Sequence, residues 1–187
     1  FAVAAAWFFY SRLDHPGVIA WLILKLAVSA ARAWQQIKQF KQGDALDVDR
    51  VRPVNFWLWV TEGSAWGLGG LAALAGQDST TLMMAITLAG VCGMATFTLQ
   101  AHWPYVAAYC LPALLPIILI TASWGDSFGL YVSGALCAVI MSLLAVSKQA
   151  ENRISDMLTL RFTNARLAQE RESALKLVEQ QIQEKSQ

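Results

Sequence analysis

Two ionisable residues lie inside long apolar stretches of this sequence, where a charge is costly. Lys25 lies within the stretch 18–34, and Glu62 lies within the stretch 54–75. An ionisable group in hydrocarbon needs a partner or a water-filled cavity. If the two stretches are consecutive antiparallel helices, the two side chains can face each other. They then form an ion pair between the helices or a site for a ligand or a proton, unless Lys25 extends outward to the interface.

Aromatic residues and prolines form a second group of candidates, in the apolar stretch 105–122. Tyr105 and Tyr109 are followed by Pro112 and Pro116. Two prolines in one span predict a kinked or broken helix. A kink frees carbonyl groups that can line a cavity. This stretch is therefore either part of a binding site or an ordinary element of helix packing.

Three further residues, His102, Trp103 and Trp66, complete the set of candidate signal-sensing positions. Metal ligands come in clusters, and His102 is the only histidine between residues 53 and 147. A neighbouring His and Trp are typical of an interfacial anchor or of a pH-dependent switch, and Trp66 lines a pocket or belongs to an interfacial belt. With no glycine-rich phosphate loop, metal-ligand cluster or nucleophile–base set, the sequence predicts no catalytic residue, metal or cofactor in this chain.

Composition indicates that these residues belong to a membrane protein. Of 187 residues, 56% are hydrophobic and 14% are charged, whereas a soluble domain has about 25% charged residues. The net charge of +1 provides no field to attract nucleic acid. Cys92, Cys110 and Cys137 all lie in apolar stretches without metal-ligand spacing, so we interpret them as packing residues. The bilayer is therefore the predicted principal partner.

The order of apolar stretches predicts an all-α fold with two parts. Residues 1–147 form a polytopic bundle of six spans, of which the first is truncated because ten residues cannot cross about 30 Å of hydrocarbon. Residues 148–187 form a long cytoplasmic signalling helix. Small residues at Gly63 and Gly67, and again at Gly90 and Gly93, predict close approach of other helices. The predicted spans are 1–10, 18–34, 54–75, 80–99, 105–122 and 128–146.

The distribution of Lys and Arg predicts the orientation of the bundle. The loop between the second and third spans and the tail are basic, whereas the other side of the bundle carries one Arg in its turns. The positive-inside rule places the basic segments in the cytoplasm. Six spans then leave both termini on the cytoplasmic side.

The tail reads as one uninterrupted helix. Residues 147–187 contain neither Gly nor Pro, and the helical pattern is still running at the last residue, which suggests a stalk that leads to a further domain. Its heptad seam is apolar at both ends and polar in the middle, which favours a movable pair of helices over a fixed zipper. A single solvated helix is the alternative. The seam consists of two rows of residues, which are Ile154, Arg161, Ala168, Leu175 and Ile182 and the companion row Met157, Asn164, Arg171, Val178 and Lys185.

The stretch 160–187 resembles the linker of bacterial membrane-bound sensor histidine kinases, including hybrid kinases. In that family the last transmembrane helix runs into a motif close to L-R-F-E-N, and this chain has Leu160, Arg161, Phe162 and Asn164, with Thr where Glu is usual. The final E-K-S-Q resembles the start of the second linker motif. The resemblance covers about the last quarter of the chain.

This resemblance implies that the chain is the input region of a two-component sensor in the bacterial inner membrane. It implies a homodimer and a lipophilic or other small signal in the bilayer, such as a quorum signal. It also implies a kinase domain outside this sequence, which binds ATP and Mg²⁺ and passes phosphate to a response regulator. Related linkers precede diguanylate cyclases, and a small transporter or channel module is a further alternative. The residues expected to transmit the signal are Leu160, Arg161, Phe162, Asn164, Leu175 and Ile182.

Overall fold

The computed structural model describes residues 2–13, 16–42, 48–71, 78–99 and 102–185, and helices make up almost all of them. No strand occurs in those ranges, which confirms the prediction of an all-α fold. The helices in chain order are α1 (Ala2–Leu13), α2 (Pro16–Gln42), α3 (Val48–Gly69), α4 (Asp78–Leu99), α5 (Trp103–Ser123) and α6 (Ser127–Lys185).

Four of these helices contain a segment that is long and apolar enough to cross a membrane, which indicates a membrane protein. The other two differ for physical reasons. Helix α1 has 12 residues, or about 18 Å at the usual rise, and α3 starts with Asp49, Arg50 and Arg52 and carries Glu62. The count of six spans therefore stays a prediction. The four segments are Gly17–Lys41, Ser79–Leu99, Trp103–Ser123 and Ser127–Ser173.

The chain divides into two compact units, Phe1–Lys148 and Gln149–Gln187. In the first unit α5 packs against both α3 and α4, α2 packs against α3, and α1 packs against α2. The centre of this unit consists of side chains that are fully shielded from solvent. Among them are Met84 and Leu88 from α4 and Val106, Leu114 and Ile117 from α5.

The two prolines of α5 do not break it, because the helix runs continuously from Trp103 to Ser123. Pro112 and Pro116 instead lie where α3 approaches α5 closely. A Cβ atom added to Gly63 would meet the carbonyl oxygen of Tyr109, and one added to Gly67 would meet the carbonyl oxygen of Pro112. The predicted close approach at these two glycines is confirmed.

The prediction of a second close-packing face on α4 is wrong. Among the described residues, no atom lies within 4 Å of a Cβ built on Gly90 or Gly93. Small residues permit close approach but do not cause it, and here α4 turns other residues toward its neighbours. Leu88 and Cys92 of this helix are fully buried, and the backbone of Cys92 contacts Cys110 of α5.

The connection between α5 and α6 is a tight turn with clear local causes. Gly125 adopts a φ of 69°, a left-handed conformation that glycine tolerates without steric cost. Asp126 then caps the new helix, since its Oδ1 accepts a hydrogen bond from the Gly129 N–H at 2.7 Å. The turn therefore fixes where α6 begins.

Candidate functional site

Lys25 and Glu62 form a buried ion pair between α2 and α3. Each residue is only 3% exposed, and the Lys25 ammonium contacts Glu62 Oε1 directly. Ser29, one turn after Lys25, completes the group: it accepts a hydrogen bond from Lys25 Nζ at 2.7 Å and donates one to Glu62 Oε1 at 3.0 Å. The pairing satisfies the requirement that a charge inside an apolar bundle has a partner.

Two tryptophans enclose this ion pair. The Lys25 ammonium lies over the ring of Trp66, 5.0 Å from its centroid, a distance at which the ring's negative face attracts a cation. Trp21 meets Trp66 edge to face, with 5.8 Å between ring centroids. Its indole N–H donates to the carbonyl oxygen of Ala65 at 2.7 Å. The rings therefore shield Lys25 and also connect α2 to the α3 backbone.

Arg32 lies on the same face of α2, about one turn beyond Ser29. Its guanidinium lies over the ring of Trp59, 4.4 Å from the centroid. Trp59 in turn meets Tyr109 of α5 edge to face at 6.0 Å. Through this stack of a cation and two rings, the contact between α2 and α3 extends to the central helix α5.

Two buried polar atoms in this region lack a hydrogen-bond partner within the described part of the chain. They are Glu62 Oε2 and Arg32 Nε. A buried acceptor or donor without a partner costs on the order of 1–3 kcal/mol. The Lys25–Glu62 group thus retains hydrogen-bonding capacity that its own neighbours do not use.

The polar seam, by which we mean Trp21, Lys25, Ser29, Arg32 and Gln39 of α2 with their partners on α3, continues to the far end of α2. There the side-chain amides of Gln39 and Asn55 bind each other reciprocally, at 2.7 and 3.3 Å. Inside a bilayer the hydrophobic effect does not drive helices together, so packing and polar contacts must do so. The seam supplies those contacts over most of the length of α2.

An apolar groove of about 530 Å³ lies between α3 and α5. Its wall is formed almost wholly by apolar side chains, and two of the predicted site residues, Trp103 and Pro112, belong to it. A groove of this size and chemistry suits a hydrocarbon chain better than a polar solute. The lining residues are Phe56, Val60, Trp103, Pro104, Ala107, Ala108, Leu111, Pro112 and Leu115.

A cluster of basic and aromatic residues lies at the Trp103 end of the groove. Arg52 approaches His102 with 3.3 Å between the guanidinium nitrogen and Nε2, and the rings of His102 and Tyr105 meet edge to face at 4.7 Å. Lys148 of α6 lies 5.8 Å from the centroid of the Trp103 ring. Trp103 therefore belongs to the groove wall and also contacts α6.

The predicted sensing residues thus occupy three places. Lys25, Glu62 and Trp66 meet in the polar seam, and Tyr109 and Pro112 lie at the contact between α3 and α5. The remaining three, His102, Trp103 and Tyr105, belong to the end cluster just described.

Sequence reasoning missed Ser29, Arg32 and Trp21 as members of the seam, and it assigned Trp59 only to an interfacial belt or a pocket lining. Helical spacing from the two charges could have found them. Trp21 and Ser29 lie four residues on either side of Lys25, Trp59 lies three residues before Glu62, and Arg32 lies three residues after Ser29, so each falls on the same helix face as its neighbour.

The second unit, Gln149–Gln187, presents the residues of the linker-like motif to solvent. Leu160 is 62% exposed and Phe162 is 74% exposed, and Arg161 and Asn164 are exposed as well. Leu175 and Ile182 lie within α6, but their side chains are outside the described residues. An ion pair between Arg166 and Glu170, 2.7 Å apart, supports the helix on its surface.

Within the described ranges, no group of three or more His, Cys, Asp or Glu side chains could hold a metal ion. No protein-family model matches the sequence, no curated protein matches it, and no solved structure matches its fold.

Proposed function

We propose that the chain is the membrane-embedded input region of a bacterial two-component sensor histidine kinase. The observation that carries this proposal is helix α6. It runs without interruption from Ser127 to Lys185, contributes Val132, Leu136 and Ile140 to the buried core of the first unit, and later carries the exposed residues that resemble a kinase linker.

Continuity matters because an α-helix is stiff along its axis, since each turn is hydrogen-bonded to the next. A small rotation or shift of the apolar part of α6 is therefore transmitted to the part that follows. In this proposal the bundle lies in the inner membrane with both termini in the cytoplasm, and α6 conveys a change in the bundle to a kinase domain. That domain supplies the ATP and Mg²⁺ chemistry and transfers phosphate to a response regulator.

Pairing of two copies through the second unit is supported by its exposed apolar side chains. Met157, Leu158, Leu160, Phe162 and Leu167 are between 49% and 74% exposed. Apolar area of this kind on an otherwise charged helix favours contact with a second helix. Two copies of α6 side by side would bury part of that area and would form the dimeric stalk on which kinases of this class depend.

The signal in this proposal is lipophilic and enters from the bilayer. The groove between α3 and α5 supports this because its lining is apolar. Trp103 connects the groove to α6 through Lys148. An occupant that displaces Trp103 would therefore alter a contact at the end of the first unit, just before the second unit begins.

The proposal is tested by fusing the chain to the catalytic domains of a histidine kinase and measuring autophosphorylation in membrane vesicles. Gly67→Leu, which separates α3 from α5, should change the rate several-fold. The same substitution should have no effect when a flexible Gly–Ser segment interrupts α6 after Gln149. An unchanged rate in the uninterrupted fusion would argue against transmission through α6.

A diguanylate cyclase output is the alternative that the linker resemblance leaves open. The same input region would serve either enzyme, because α6 delivers the same movement. The domain that follows this region in the gene distinguishes them: a phosphoacceptor histidine motif indicates a kinase, and a G-G-D-E-F motif indicates a cyclase.

A further inference from the structure

Cys92 of α4 and Cys110 of α5 face each other in the core of the first unit. Both residues are 0% exposed. Cys110 Sγ lies 4.0 Å from the carbonyl oxygen of Cys92. Thr96, one turn after Cys92, donates to the same carbonyl oxygen at 2.8 Å. The two thiols therefore lie on adjoining faces of two packed helices.

The apolar surroundings decide which chemistry such a pair can support. Two thiolates that bind a monovalent soft metal ion would leave one net negative charge in the core, and burying an uncompensated charge is very costly. No third metal-ligating side chain accompanies them among the described residues. A disulfide is neutral and needs no polar partner, so the environment is compatible with it.

We propose that Cys92 and Cys110 form an intramembrane disulfide that ties α4 to α5. The oxidant is an uncharged, lipid-soluble two-electron acceptor of the quinone class. The two S–H bonds are lost and one S–S bond forms, while the quinone takes up two electrons and two protons and becomes a quinol. Both cysteines are fully buried, so the pair reacts only when α4 and α5 part locally. In an apolar span such an opening admits a reagent dissolved in the bilayer rather than a water-soluble one.

Closing this bond would restrict the central helix of the bundle. Helix α5 also contributes one wall of the apolar groove and receives Gly63 and Gly67 of α3. A covalent tie to α4 would hold the Cys92 and Cys110 backbones at a fixed separation, because a disulfide keeps its two Cα atoms about 4.4–6.8 Å apart. The redox state of the pair would thereby decide how freely α5 moves against α4. This site does not depend on which enzyme follows the chain.

The test uses the full chain in lipid nanodiscs with a fully substituted decyl benzoquinone, which has no free ring carbon for thiol addition. After treatment the protein is denatured, free thiols are alkylated, and peptides are mapped by mass spectrometry without reduction. We expect a Cys92–Cys110 cross-linked peptide that disappears on reduction with a phosphine. Cys137, which is exposed, should remain alkylated.

Variants make the assignment specific. Cys137→Ser should form the cross-link as the parent chain does, whereas Cys92→Ser and Cys110→Ser should not. Recovery of both buried thiols as alkylated peptides from the parent chain would overturn the proposal, as would disulfides that involve only Cys137. A cross-link that forms with the small oxidant diamide but not with the quinone would overturn the assignment of the oxidant. The parent chain decides each of these outcomes, so a variant that fails to fold does not obscure the result.

Discussion

Gly67 of α3 packs against the carbonyl oxygen of Pro112 of α5, at the position where an added Cβ would collide with that oxygen. Within α5 this carbonyl would normally accept a hydrogen bond from the N–H four residues later, but that residue is Pro116 and has no N–H. The glycine brings its Cα–H to an acceptor that the helix itself leaves free, a contact that recurs between closely packed helices. The prolines of α5 and the glycines of α3 therefore act together to form the close contact between the two helices.

Replacement of Gly67 by alanine should destabilise the bundle by about 1–3 kcal/mol, because the new methyl group forces α3 away from the α5 backbone. The measurement is the free energy of unfolding in mixed micelles titrated with a denaturing detergent. Gly90→Ala is the matched control, since its Cβ would meet no atom within 4 Å among the described residues. That variant should be neutral or slightly stabilised, as Gly→Ala is in an open helix. Equal losses for both variants would contradict the account.

Removing one partner of the buried ion pair should cost more than removing both. Lys25→Met leaves the Glu62 carboxylate without its cation, which we expect to cost about 3–5 kcal/mol. The double variant Lys25→Met/Glu62→Met removes both charges and should recover much of that loss. A double-mutant cycle on the free energy of unfolding measures the coupling.

The exposed pair Arg166–Glu170 supplies the control for this cycle. Its side chains are 81% and 53% exposed, so solvent screens their interaction and Arg166→Ala should leave the stability of the first unit unchanged. If the effects of Lys25→Met and Glu62→Met simply add, the two residues do not act as a pair.

Filling the groove should exclude a hydrocarbon chain from it. Ala107 lines the groove, and Ala107→Phe would place a ring in that space. In proteoliposomes, a decyl chain bearing a diazirine should label the α5 peptide of the parent chain on illumination, and the substitution should lower this labelling several-fold. Leu119→Phe is the matched control, because Leu119 is on the same helix, is 60% exposed and does not line the groove. Equal labelling of all three proteins would show that the groove does not hold the chain.

The sequence predicts most of the helices, but it predicts fewer of the contacts between them, because those contacts depend on how each helix is rotated and offset. The helices follow from apolar runs separated by polar turns. The cost of charge in an apolar span marks Lys25 and Glu62, but it leaves open whether they form a pair, a site for a ligand or a proton, or an outward-extended Lys25. The polar seam beyond that pair requires the relative offset of α2 and α3. Arg32 illustrates this limit. Its position at the end of a span is typical of an interfacial charge, and only the fold shows that its guanidinium lies over the Trp59 ring.

The glycine and cysteine positions show the same limit. Gly63 and Gly90 have similar sequence surroundings, yet only Gly63 meets a neighbouring backbone. The partner is chosen by the rotation of each helix, which single-sequence patterns do not specify. For the same reason, the sequence indicates only that Cys92 and Cys110 are separate packing residues, although the fold places the Cys110 thiol against the Cys92 backbone carbonyl.

The central claim, that α6 carries a signal out of the bundle, is tested most directly by inserting residues into it. One to seven alanines are added after Gln149 in the kinase fusion, and autophosphorylation is measured in vesicles. Each alanine rotates the following helix by about 100° and lengthens it by about 1.5 Å. We predict that activity rises and falls with the helical period and returns when seven residues, about two turns, have been added. Activity that is the same at every insertion length would contradict the account.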